Sequence, residues 1–204
     1  MNINNYLSEI SMKNGLDPKI LQLPNCELDP NKIKVIMISE VPSQDPEDGF
    51  YSKSIDSDYM QTTRSLFADA GILVKNIDDI LCKGIYITTA VKSPKTGYKV
   101  DTAIVKAHLP LLEAELMLFS NLKVIMLMGD VAKKSVNMIV KSKTKKNVIP
   151  SESTYKIRDN EYYWDSIRVF PSYIMTGGNI LIEKSKFNMI VEDIQRMLEI
   201  INDD

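Results

Sequence analysis

The chain has 204 residues, of which 44% are hydrophobic and 25% charged, so it is long enough to form one good hydrophobic core. Its 25 basic and 27 acidic side chains give a formal charge of −2, which argues against a dedicated nucleic-acid-binding domain with a strongly basic surface. Two cysteines and one histidine, without a Cys-x-x-Cys motif, predict no disulfide framework, no metal site and no cofactor. No apolar run approaches the roughly 20 residues of a membrane span, and no secretion signal is visible, so we expect a cytoplasmic protein without membrane association.

Strand-like and helix-like segments alternate along the chain. Continuous apolar runs, rich in Ile, Val and Met, predict buried strands at 34–39, 84–91, 122–128 and 166–170. Three- and four-residue spacing of apolar side chains, with capping residues and glycine stops, predicts helices at 6–12, 58–70, 102–119, 130–140 and 186–201. This alternation predicts an α/β fold: a three-layer α/β/α sandwich with a central, mainly parallel four-stranded sheet.

The same patterns predict the domain organisation and several local features. We expect residues 1–204 to form a single domain, with a helical extension at 1–32 packed on it. Residues 141–152 read as a mobile loop, and 154–158 as the first strand of a hairpin whose second strand enters the sheet. Pro110 is compatible with its helix only in the first turns or with a kink.

The first strand ends in a short acidic loop that contains two prolines. Glu40 follows the strand directly, and open α/β sheets bind their ligands at the carboxyl edge of the strands. Glu40 is therefore the candidate catalytic residue, although a loop acid that caps backbone amides is an equally simple interpretation. A counterpart lies far downstream at 169–174, where Ser172 and Tyr173 carry hydroxyls toward the same expected cleft.

Several motifs in this order resemble the uracil-DNA glycosylase superfamily, and in particular its bacterial and archaeal iron–sulfur branch. Residues 39–43, Ser-Glu-Val-Pro-Ser, resemble the Gly-Glu-Ala-Pro-Gly loop of that branch, and 86–93 resemble its Tyr-Ile-Thr-Asn-x-Val-Lys-Cys strand. A helix like 110–116 and a strand ending in Leu-Gly, here Met-Gly at 128–129, follow. The final Pro-Thr-x-His-Pro motif is similar to Pro-Ser-Tyr-Ile-Met at 171–175.

The chain departs from this pattern at four matched positions and in its N-terminal cysteines. Ile174 stands where the family has its histidine, and Thr89 stands where it has the asparagine that reads the uracil edge. Ser93 and His108 fall on two of the cluster cysteine positions, and the paired N-terminal cysteines are absent. We therefore expect no iron–sulfur cluster.

The resemblance implies a DNA-repair hydrolase that cleaves the N-glycosidic bond of a damaged or deaminated base. It places Glu40 in the catalytic role of orienting water, and an aromatic ring from Phe50, Tyr51 or Tyr59 against the flipped base. The residues expected to contact the base or ligand are Pro42, Ser43, Phe50, Tyr51, Thr89, Ser172, Tyr173 and Ile174. The replacements at 89 and 174 leave a second function open: a nucleobase- or nucleic-acid-binding or interaction module that has lost the chemistry. The expected partner is DNA, a nucleobase or a nucleotide.

Six lysines fall within residues 133–146, and the sequence leaves their role open. They are either a solvated helix end or a phosphate-contacting patch, and only the second makes nucleic-acid binding strongly dependent on salt. The six are Lys133, Lys134, Lys141, Lys143, Lys145 and Lys146.

Overall fold

The centre of the molecule is a five-stranded sheet. The computed structural model describes residues 1–54 and 56–202, apart from the side chain of Asn179. The strands are β1 (Val35–Ser39), β2 (Ile85–Thr89), β3 (Val124–Met128), β4 (Tyr162–Trp164) and β5 (Ile167–Ser172), in the order β2-β1-β3-β5-β4. All neighbouring pairs are parallel except β4–β5, which is antiparallel. The predicted α/β fold with a mainly parallel sheet is confirmed, and the edge strand β4 raises the strand number from four to five.

Helices cover both faces of this sheet, which gives the three layers predicted. The helices are α1 (Ile3–Lys13), α2 (Asp58–Asp69), α3 (Ile77–Cys82), α4 (Thr102–Leu118), α5 (Asp130–Thr144), α6 (Thr154–Ile157), α7 (Asn179–Ile182) and α8 (Lys184–Asn202). Short 3-10 helices lie at Pro18–Ile20, Pro30–Lys32 and Pro46–Asp48. No helix in the described part of the chain is both long and apolar enough to cross a membrane.

Alternate residues of each strand enter two separate hydrophobic clusters. Ile36 and Ile38 of β1 face one cluster, which includes Leu111 of α4 and Val136 of α5. Val35 and Met37 belong to the opposite cluster with side chains of α2 and α8. Every residue of β1, β2 and β3 is buried, which explains why these strands read as unbroken apolar runs rather than alternating ones. The N-terminal segment joins the first cluster through Ile3 and Leu7 of α1.

The register aligns the carboxyl ends of the four parallel strands. Ser39 of β1 pairs with Thr89 of β2, and Met128 of β3 pairs with Ser172 of β5. Loops that leave these four positions therefore emerge at one edge of the sheet, where α/β proteins bind ligands.

Two local predictions were wrong. Residues 154–157 form helix α6, and the first strand of the hairpin is β4, so the hairpin turn is shorter than expected. Helix α5 continues to Thr144, so only the second part of 141–152 is loop. Pro110 lies in the interior of α4, past its first two turns, and this helix packs against α1 and α5.

Candidate functional site

The loops that follow β1 and β5 meet at Gly129, between β3 and α5. The Gly129 amide donates a hydrogen bond to the Ser172 carbonyl at 3.2 Å, and the glycine has a φ of +106°, which favours a residue without a side chain. A Cβ at this position would lie 2.5 Å from Glu40 Oε1 and 2.8 Å from Ile174 Cγ1. Glu40 and Ile174 therefore pack against the same backbone, although they are far apart in sequence.

Glu40 caps the N-terminus of α5. Its Oε1 accepts a hydrogen bond from the Val131 amide at 3.0 Å, and the N-cap residue Gly129 has no side chain to do so. A side chain that accepts hydrogen bonds from the first amides of a helix is a usual N-terminal cap. In the described part of the chain, no donor bonds to the second oxygen, Oε2. The hydrogen bond to Oε1 thus holds the side chain of Glu40 in place, and Oε2 remains available as an acceptor.

The first cavity at this edge, the Glu40 cavity, has a volume of about 450 Å³. Four of the predicted site residues line it: Glu40, Ser172, Tyr173 and Ile174. Ile174 is an exposed hydrophobic side chain and offers no hydrogen-bond donor to a ligand.

The second cavity, of about 550 Å³, is lined in part by the loop that follows β1. We call it the strap cavity, because residues 19–25 of the N-terminal region, here called the strap, contribute to its wall. Four further predicted residues line it: Pro42, Phe50, Tyr51 and Thr89. Ser43 lines neither cavity, although its carbonyl accepts a hydrogen bond from Gln22 of the strap. The structure therefore divides the predicted site between two neighbouring cavities.

The three aromatic candidates are held in different ways. Phe50 is buried and packs edge-on against Tyr59, with ring centroids 5.0 Å apart. The Tyr51 hydroxyl donates to the Ile87 carbonyl at 2.6 Å, and burial raises the pKa of Tyr51 well above its ordinary value. Tyr59 is half-buried, and burial raises its pKa, although the side chains of Thr176 and Ser43 act in the opposite direction.

A buried ionic network supports the end of β2 beneath the strap cavity. Lys92 Nζ donates to Glu115 Oε2 at 2.6 Å, to Thr88 Oγ1 at 2.6 Å and to the Thr89 carbonyl at 2.7 Å. Both charged side chains are fully buried, and burial lowers the pKa of Lys92 while Glu115 opposes that effect. Glu115 Oε1 also accepts from Tyr86 and Thr88. Because its hydrogen bonds are satisfied, the network positions the Thr88–Thr89 backbone and does not act as a free acid or base.

A second network lies beneath the Glu40 cavity. Ser172 Oγ donates to Asp193 Oδ2 at 2.7 Å, and Arg158 Nη2 donates to Asp193 Oδ1 at 3.0 Å. Burial raises the pKa of Asp193 to about 6, although the hydrogen bond from Ser172 and the charge of Arg158 act in the opposite direction. We did not predict this role for Asp193 or Arg158 from sequence, because they come from α8 and the end of α6 and no local pattern connects them. An acid on the buried side of α8 was the available signal.

Among residues 1–54 and 56–202, no three His, Cys, Asp or Glu side chains are grouped so as to hold a metal ion.

Two of the six clustered lysines are engaged in ion pairs. Lys133 is buried, pairs with Asp130 at 2.7 Å and donates to the Glu152 carbonyl. Lys143 pairs with Glu113 at 2.6 Å. At least these two lysines have structural partners and do not form an open phosphate patch.

Two of the solved structures that are similar to this chain are of the same kind. No protein-family model and no curated protein sequence matches the chain. A point-mutant crystal structure of UNG, a uracil-DNA glycosylase, from Nitratifractor salsuginis is similar with a TM-score of 0.49 and 11% identity, over 92% of this chain and 85% of that one. The wild-type UNG structure from the same organism gives 0.44 and 10%, over 92% and 84% of the two chains.

Proposed function

We propose that this protein is a uracil-DNA-glycosylase-like hydrolase that binds a nucleobase of DNA at the carboxyl edge of its sheet and cleaves the N-glycosidic bond. The observation that supports this best is the state of Glu40. Its Oε1 is fixed by the Val131 amide, no donor in the described part of the chain bonds to Oε2, and Glu40 lines the Glu40 cavity. A carboxylate held in this way can align a water molecule and stabilise an oxocarbenium-like sugar.

The strap cavity is the proposed pocket for the base. It combines apolar walls, including Phe50 and Pro42, with a few polar groups such as Thr89, which is the usual composition of a small-molecule site. The two cavities are neighbours, because the Val91 amide donates to the Glu40 carbonyl at 3.1 Å, two residues after Thr89. A base in the strap cavity thus has its sugar close to the end of β1.

We expect the proposed reaction to be slow. Negative charge grows on the departing base, and Ile174, in the neighbouring Glu40 cavity, offers no hydrogen-bond donor on the sugar side of that base. Loss of a comparable oxyanion-hole donor costs about 3–4 kcal/mol, or a factor of roughly 10²–10³ in kcat.

The test is single-turnover cleavage of labelled single-stranded DNA that contains one uracil or one hypoxanthine. The Glu40→Gln variant keeps an oxygen for the Val131 amide but lacks the negative charge. We expect slow cleavage by the wild type and at least about 100-fold slower cleavage by Glu40→Gln, in line with the usual effect of a positioned general base. Glu47→Gln is the matched control, since Glu47 is an exposed acid of the same loop. Equal rates for wild type and Glu40→Gln, or no cleavage by the wild type, would contradict the catalytic role.

The second candidate is a binding module on the same scaffold without catalysis, and the replacement at Ile174 favours it. In that case the wild type leaves the oligonucleotide intact but still binds it. Because phosphate contacts release counterions, the affinity should fall steeply between about 50 and 200 mM salt. Absence of binding at low salt would contradict a nucleic-acid partner for this candidate as well.

A further inference from the structure

Gln22 connects the strap to both loops that wall the strap cavity. Its backbone amide donates to the Lys92 carbonyl at 2.7 Å, beyond the end of β2. Its side-chain Nε2 donates to the Ser43 carbonyl at 3.1 Å, in the loop after β1. Gln22 also lines the strap cavity and is half-buried. One residue from the N-terminal region is therefore fixed at two points beside the proposed base pocket.

The hydrogen bond to Ser43 determines which way the carboxamide points. A carbonyl oxygen accepts only, so the NH₂ group of Gln22 must face Ser43, and Oε1 takes the other position. In the part of the chain that the structure describes, Oε1 accepts no hydrogen bond, and one N–H of Nε2 also remains. The side chain thus presents an acceptor and a donor next to each other, in an order that cannot reverse without losing the bond to Ser43.

Two other polar side chains at this cavity, Tyr51 and Thr88, already have partners within the protein. The Tyr51 hydroxyl donates to the Ile87 carbonyl. The Thr88 hydroxyl donates to Glu115 and accepts from Lys92. A ligand in this cavity therefore meets Gln22 as an oriented amide whose hydrogen-bonding capacity is still available.

We propose that Gln22 reads the hydrogen-bonding edge of the base, accepting from a ring N–H and donating to the adjacent carbonyl. This inference rests on the proposed function, because a deaminated base differs from its parent in carrying this lactam edge, N–H beside C=O. Uracil and hypoxanthine have it. A base with its ring N–H blocked or absent leaves the Oε1 acceptor unpaired in a partly buried site, which weakens binding.

The test compares the binding of 2′-deoxyuridine and 3-methyl-2′-deoxyuridine, which lacks the ring N–H, to wild type and to Gln22→Met. Methionine has nearly the length and shape of glutamine but neither polar atom. We expect the wild type to bind 2′-deoxyuridine at least about 10-fold more tightly than the methylated nucleoside, and Gln22→Met to bind the two equally. The control is Gln61→Met, because Gln61 is exposed on α2 and does not line the cavity.

A second measurement separates recognition from a merely structural role of the strap. Hydrogen exchange of the backbone amide at position 22 reports its bond to the Lys92 carbonyl, and we expect the same protection in wild type and Gln22→Met. In the wild type alone, the NMR signals of the Gln22 side-chain NH₂ should shift with 2′-deoxyuridine and stay in place with the methylated nucleoside.

The possible failures are distinguishable. If the wild type binds neither nucleoside, the proposed function fails and this inference with it. If the wild type binds both equally, or if Gln22→Met keeps the preference for 2′-deoxyuridine, the role of Gln22 is wrong while base binding stands. Loss of amide protection in the variant, without a shift of the wild-type side-chain signals, also overturns recognition by Gln22.

Discussion

The carboxylate of Glu40 combines an observed contact with a proposed role, and the sequence presented these as alternatives. It caps α5 through Oε1, and it leaves Oε2 available for the chemistry that we propose. The acidic loop and the preceding apolar strand were enough to place an acid at the sheet edge. They were not enough to identify the amide that it caps, because Val131 is 91 residues away in the chain.

His108 gives a stability prediction at the residue scale. It is buried, its Nδ1 accepts from the Lys92 amide at 3.1 Å, and burial together with the charge of Lys92 lowers its pKa to about 4. The ordinary histidine pKa is 6.5, so the unfolded chain binds a proton between pH 4 and 6.5 that the folded protein excludes. The stabilising contribution of the neutral side chain is therefore present above pH 6.5 and is lost as the pH falls to 4.

The measurement is urea unfolding of wild type and His108→Asn between pH 4 and 6.5. Asparagine places Oδ1 where Nδ1 accepts, but it does not titrate. We expect the free energy of unfolding of wild type minus that of the variant to rise by about 3 kcal/mol over this range, at 1.36 kcal/mol per pKa unit. Subtracting the free energy of unfolding of the variant cancels the opposite contribution of Asp193, which both proteins share. The raised pKa of Asp193 makes the folded state less stable as the pH rises from 3.8 to about 6. A free-energy difference between wild type and variant that stays constant with pH would contradict the lowered pKa of His108.

At the scale of elements, the junction between β3 and α5 determines where the site residues lie. Gly129 has a positive φ, and its missing side chain leaves room for Glu40 and Ile174. We expect Gly129→Ala to destabilise the protein by more than the about 1–3 kcal/mol of backbone strain alone, because the new methyl group also displaces Glu40 from the α5 amide. Thermal or urea unfolding measures the change.

Gly177→Ala is the matched control for this prediction. Gly177 has a φ of +89°, but nothing lies within 4 Å of an added Cβ, so only backbone strain applies. Equal destabilisation by the two substitutions would show that the contact with Glu40 contributes nothing measurable.

Local patterns predicted the long elements and failed at the short ones. The apolar runs of β1, β2 and β3 and the periodic α8 were identified because burial dictates their composition. Helix α3 was missed, since six residues with two acids in the first turn carry little periodicity. The pattern at 154–158 predicts a strand, but residues 154–157 are helical. Arg158 bonds to Asp193 and Glu192 of α8, and the local sequence gives no sign of this tertiary contact.

At the scale of the whole molecule, the site is assembled from segments that lie far apart in the chain. Glu40, Thr89 and Ser172 were predictable as strand ends at one sheet edge. Their division between two cavities was not predictable, because it depends on how the loop after β1 runs between the strap and α5. The position of Gln22 was not predictable for the same reason, because its hydrogen-bond partners Ser43 and Lys92 are 21 and 70 residues away in the chain.

A crystal structure of the protein with bound 2′-deoxyuridine tests the central claim most directly. We predict the base in the strap cavity, between Phe50 and Thr89, with the sugar directed toward Glu40. A nucleoside found instead in the cavity of about 670 Å³ along α5, which Lys133, Lys134 and Lys141 line, would contradict it.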